Sequence, residues 1–139
     1  MVLRNDVFTV VTPNNLWKEY SLQDGLYRCG RPTHPALKKL RLGKDIHFAL
    51  DPFVNEELIL PHPKMGISFG DSIATLKKQP VSGVAWILPK YKILPEGLLF
   101  NYRDKYHPLL NVSRKMPATE LLAKLNELSK LMTCTNVRV

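Results

Sequence analysis

Cysteine is scarce in this chain, and the scarcity removes two classes at once. Cys29 and Cys134 have neither the number nor the spacing of a disulfide framework or a zinc site. They suit a reducing compartment, as small apolar side chains inside a core. Long apolar runs are missing too, so no segment reaches transmembrane length and no membrane partner is expected. Residues Met1 to Asp6 carry an acidic side chain and no apolar segment, which excludes a cleavable signal peptide and points to a cytoplasmic protein. No internal repeat, low-complexity tract or linker breaks the chain, and its 11 prolines read as turn punctuation. The spacing of the histidines suggests no metal site.

What is present fits one folded domain spanning residues 1–139. At 139 residues with 45% hydrophobic side chains, the chain can bury a core rather than stay disordered. The formal charge is +8 and uneven. Residues 1–70 hold nine Lys/Arg against seven Asp/Glu, or +2, whereas residues 71–139 hold eleven against five, or +6. A basic C-terminal half invites an anionic partner such as a nucleotide, a nucleic acid or an acidic inhibitor protein.

The organising stretch runs from Met65 to Lys78. It reads as a short strand, a glycine-flanked bend and the first turns of a helix. Gly66 and Gly70 let another backbone or a ligand approach Ile67-Ser68-Phe69 closely. Asp71 or Ser72 is the expected helix N-cap. A serine at a strand end beside a helix N-terminus is a natural place for an anionic group.

The rest of the chain reads as strands closed by one helix. Residues 1–25 form an N-terminal arm, with an apolar run at Val7–Val11 and a short helix that Asn15 would cap. Leu26 to Arg31 alternates as a strand with Leu26, Arg28 and Gly30 on one face. Pro35–Leu40 reads as one helical turn, and Glu57–Leu60 as a strand. Val84–Leu88, Lys90–Leu94, Leu98–Tyr102 and Tyr106–Val112 follow as further strands, with Pro108 placing the last at an edge or a bulge. Residues 117–133 form the strongest helix: Pro117 suits its first position, and Leu121, Leu125, Leu128 and Met132 line one face.

Three separated pieces can build a pocket. Arg28, beside Tyr27 in an early strand, has a fork that suits a diphosphate. Ser68 and Phe69 offer a hydroxyl and a ring that could cover a flat ligand such as nicotinamide. His107, after Tyr106, is a candidate hydrogen-bond donor or proton-exchanging group.

The order of Leu26-Tyr27-Arg28, Arg41-Leu42-Gly43-Lys44-Asp45-Ile46 and Gly66-Ile67-Ser68-Phe69 resembles the ADP-ribosyltransferase-like toxins of bacterial type VI secretion and their fungal relatives. So do Trp86-Ile87-Leu88-Pro89, Ile93 to Leu98, Tyr106-His107, and Met116 ahead of a leucine-rich helix. The resemblance implies an α+β fold of two packed, mostly antiparallel sheets with peripheral helices. It implies NAD as cofactor, held by Tyr27, Arg28, Ser68 and Phe69, with Ser68 and His107 as catalytic residues. It also implies a growth-arresting effector delivered into a target cell's cytoplasm and restrained by an immunity protein, expected to be acidic on its contacting face. The acceptor of ADP-ribose is not specified. The chain has no Glu-x-Glu; Glu96 falls in an expected turn and Asp104 in an expected loop. A nucleotide- or RNA-binding toxin without transferase activity, or a non-enzymatic interaction domain, are the alternatives.

Overall fold

Among the described residues, ten strands and two helices assemble along the chain. The computed structural model describes residues 10–11, 25–37, 42–53, 55–79, 82–90, 92–104 and 106–139. The expected helix near Asn15 lies outside these residues. In chain order the elements are β1 (Val10–Val11), β2 (Gly25–Gly30), β3 (His47–Asp51), β4 (Glu56–Leu60), β5 (Ile67–Ser68), α1 (Ile73–Lys77) and β6 (Val84–Pro89). Then come β7 (Leu98–Asp104), β8 (His107–Val112), β9 (Met116–Pro117), α2 (Ala118–Leu131) and β10 (Thr133–Arg138).

The strands pair antiparallel and the fold is α+β. Among the described residues they make three sheets rather than the two expected, in the orders β1-β7-β8-β5, β10-β6-β2 and β3-β4-β9. A bridge between Tyr27 and Gly70 links β2 to the segment just after β5, so the first two sheets meet at a seam. No helix among the described residues is long and apolar enough to cross a membrane.

Period explains part of what was legible. Strand β2 forms where expected, but its burial does not alternate: Gly25, Leu26 and Gly30 are buried and Tyr27 to Cys29 are half-buried. In α2, Leu121, Leu125 and Leu128 are all buried, as the helical spacing requires, and Met132 just beyond the helix is buried with them. The helix packs on β4 and β9, and Pro117 sits at its N-cap rather than its first turn. Helix α1 starts at Ser72, whose Oγ accepts the Thr75 amide at 3.1 Å. Gly66 is required by packing: a Cβ there would meet the Leu109 Cβ at 2.7 Å and the Leu110 oxygen at 2.8 Å.

Three local expectations need correction, and a fourth is met in one of its two forms. Lys90–Leu94 is not a strand among its described residues; between Pro89 and Pro95 it turns, with Ile93 exposed and Leu94 buried. Pro35–Leu37 bends instead of starting a helix, with Ala36 in the left-handed region at φ 58°, and the continuation lies outside the described residues. Pro108 takes the bulge rather than the edge of its two expected places: β8 lies between β7 and β5, and its register with β7 shifts between Asn101 and Asp104. Cys29 and Cys134 are half-exposed rather than core residues. The Cys29 thiol donates to the Ser82 carbonyl at 2.9 Å, and burial pushes it up against the opposing pull of Arg28.

An exposed ion network ties the turn before β7 to α2. Arg114 donates to Glu96 at 2.9 and 3.0 Å and also to Glu120, and Lys124 donates to Glu96 at 3.2 Å. The hydrogen bond from Arg114, then that from Lys124, lowers the Glu96 carboxyl from 4.5 to about 2. A depressed carboxylate contributes stability that is present above its unfolded value and lost as pH falls through its folded value. The melting difference between the wild type and Glu96→Gln is therefore expected to hold at neutral pH, shrink between pH 4.5 and about 2, and fall with added salt because the network is exposed. Thermal melts across that window, at low and high salt, check it.

Candidate functional site at the sheet seam

The three pieces singled out in the sequence meet at the seam. Tyr27 and Gly70 exchange two backbone hydrogen bonds of 2.8 Å each. The Phe69 amide donates to the Pro108 carbonyl at 2.9 Å, and the Asp71 amide donates to the Tyr106 carbonyl at 3.0 Å. Residues 68–71 are thus held between β2 on one side and the start of β8 on the other. Ser68 pairs with Leu109, two residues along β8 from His107.

Arg28 fastens this junction. Its guanidinium donates to the Ser68 carbonyl at 2.9 Å and to the Ala36 carbonyl at 3.1 Å. A guanidinium has five N–H donors in a planar fork, so one side chain can tie β2, β5 and the bend at Ala36 together. The second bond pins a residue whose positive φ is costly without such support.

Phe69 is placed differently from its expected role. Its ring is 1% exposed and packs edge-on against Phe100 at 5.1 Å, with the Arg28 guanidinium 6.0 Å from its centroid. Enclosed in this way, the ring supports Arg28 from below rather than offering a free face to nicotinamide. The exposed ring beside the seam is Tyr106, which lies edge-on to His107 at 6.3 Å.

His107 carries the feature of most chemical interest. Its Nδ1 lies 2.9 and 3.1 Å from the two carboxylate oxygens of Asp104, across the β7–β8 turn. The ionised carboxylate accepts from a protonated Nδ1, and in the Nδ1–H neutral tautomer Nε2 presents a lone pair. Nε2 is buried and has no hydrogen-bond partner among the described residues. Partial burial pushes the Asp104 carboxyl up, but the Tyr106 amide at 2.8 Å and the His107 ring outweigh that and leave it below its ordinary value. Asp104 is the residue that sequence reasoning passed over. Its spacing from His107 is a signal only once the turn between them is known to close.

Two buried asparagines set the approach to the site. The Asn101 and Asn111 amides both donate to the carbonyls of His62 and Met65, at 2.7 to 3.3 Å, fixing the turn that leads into β5. Comparison of the chain with protein-family models, curated proteins and solved structures gave no match.

Proposed function

We propose that this chain binds NAD at the seam and transfers ADP-ribose to an acceptor, acting as a growth-arresting toxin with an ADP-ribosyltransferase-like fold. The observation that carries the reading is the convergence of Arg28, Ser68 and an Asp104–His107 dyad, from three distant stretches, on one seam between two sheets. In this reading Arg28 sets its fork against the diphosphate, the Ser68 hydroxyl orients the nicotinamide ribose, and Tyr106 offers a flat surface to the nicotinamide. The bond from the ribose C1′ to the nicotinamide nitrogen breaks, and nicotinamide leaves with the bonding pair. The acceptor's lone pair attacks C1′, and its proton passes to Nε2 of His107, which is buried and must be uncovered to receive it. Positioning and charge stabilisation do most of such a reaction. The excess of positive charge in residues 71–139 suits both an anionic dinucleotide and an immunity protein acidic on its contacting face.

Adenylate-labelled NAD incubated with the protein and target-cell lysate tests the proposal. Label in protein, RNA or a small molecule names the acceptor. NAD binding without nicotinamide release means a nucleotide-binding toxin, and no NAD binding overturns the reading. His107→Asn is expected to lower nicotinamide release about 10²–10⁴-fold, the range for a general base. Asp104→Asn is expected to shift the pH–rate profile, because Asp104 acts by fixing the His107 tautomer. An unaltered profile would leave Asp104 a turn residue only.

A further inference from the structure

We propose that β3 is a self-complementary edge through which two copies of this chain pair antiparallel about Ala49. Strand β3 pairs with β4 on one side and is an edge of its sheet among the described strands. Residues His47, Phe48, Ala49 and Leu50 are all exposed, an unusual state for four consecutive strand residues with this much apolar surface. Phe48 is 39% and Leu50 56% exposed, and Phe53 in the following turn is 95% exposed. Natural edge strands are blunted by lysine, proline, bulges or inward charges. Residues 47–51 contain no lysine or proline, and the ladder with β4 runs through them without a bulge.

The sequence of the strand identifies the occupant as a second copy. Its five residues, His47-Phe48-Ala49-Leu50-Asp51, are complementary to themselves when reversed. An antiparallel two-fold axis at Ala49 sets His47 opposite the second copy's Asp51, and Phe48 opposite its Leu50. Each end then gains an imidazole–carboxylate pair and each middle an apolar cross-strand pair, the two kinds of contact that stabilise a ladder. Alternation puts Phe48 and Leu50 on one face and His47, Ala49 and Asp51 on the other, so neither kind intrudes on the other. Parallel pairing in register would set Asp51 beside Asp51, which is unfavourable. Asp51 is already held in place, since its Oδ1 accepts the Phe53 amide at 2.9 Å. His47 rests against the ring of His62, with centroids 5.6 Å apart. The result is a sheet continuous across both copies, in the order β9-β4-β3 and its reverse.

So short a contact belongs to the weak, transient class of interface, with a dissociation constant expected at roughly 10–100 µM. Sedimentation of the full chain up to about 500 µM, well above that range, should show a monomer–dimer equilibrium in the wild type. Leu50→Lys, on an exposed position, should fold normally and raise the dissociation constant at least tenfold. His47→Asp should do the same by facing two carboxylates, and His47→Asp with Asp51→His should restore the dimer by exchanging the partners. Register is read directly by mild oxidation of Ala49→Cys in a Cys29→Ser/Cys134→Ser background. A cysteine on the two-fold axis meets its own copy and cross-links; His47→Cys in the same background faces Asp51 and does not. A monomeric wild type at the highest concentration overturns the proposal and leaves the edge to a strand from a different protein. A dimer indifferent to Leu50→Lys, or cross-linking no better at 49 than at 47, overturns it equally.

Discussion

Arg28→Ala is expected both to destabilise the fold and to weaken NAD binding. The guanidinium donates to two main-chain carbonyls, on Ser68 and Ala36, and bonds from a charged donor are worth roughly 1.5–3 kcal/mol each. Loss of both is expected to lower the unfolding free energy by about 3–6 kcal/mol, and by less where water reaches the carbonyls. The Ala36 bend, held at φ 58°, loses the contact that favours its conformation and should relax first. Arg28→Lys should recover part of the stability through one bond, because an ammonium cannot span two carbonyls on different segments. Below the melting temperature of each variant, the folded alanine form should still bind NAD about ten- to a hundredfold more weakly than wild type, if the same fork grips the diphosphate. Calorimetric NAD titrations beside thermal melts separate the two roles. Unchanged melting would mean the carbonyl bonds are replaced by water without loss. Lowered melting with unchanged affinity would make Arg28 a purely positioning residue and remove it from the NAD site.

The pieces that could be read from the sequence are those with a local reason to exist. Helix α2 repeats leucine because one stripe meets β4 and β9, whereas β2 is legible from its residue types and bounding turns, its burial following no strict alternation. Strand β3 leaves no such trace, since His47 to Leu50 are exposed on both faces and nothing forces alternation. Strand β10 hides for the same reason: Thr133 to Arg138 is polar, has Asn136 at φ 62°, and pairs with β6 through an irregular register. Lys90–Leu94 misleads in the opposite sense, with an alternating pattern but, among the described residues, no strand that pairs with it between its two prolines. The site shows the same division. Arg28, Ser68 and His107 could be named singly, but their meeting depends on the Tyr27–Gly70 bridge, which joins residues 43 positions apart and is specified by no local pattern. Whether Phe69 faces a ligand or the core turns on Phe100, which reaches it from another strand.

The largest stability loss from a single core side chain is expected for Leu125→Ala. Leu125 is 1% exposed, in the middle of the stripe that runs from Leu121 through Leu128. Removing it gives up the transfer energy of three carbons and leaves a cavity that the rigid flanks, two more buried leucines on the same helix, cannot collapse into. Losses of about 2–5 kcal/mol are usual for such a change. A domain of this size is stable by only about 5–15 kcal/mol, so a third of the total is at stake. The melting temperature should fall by roughly 6–20 °C, taking about 3–4 °C for each kcal/mol at this length. Leu122→Ala is the internal control, because Leu122 is 41% exposed on the same helix and makes the same change in helix propensity. Its effect should stay within about 0.5 kcal/mol. Denaturant melts of both variants decide the matter: equal midpoints would mean that α2 is not docked through Leu125. A selective loss at Leu125 would also fix how its activity data are read. At a temperature where the variant is fully folded its turnover should match the wild type, and any deficit at higher temperature should track the unfolded fraction.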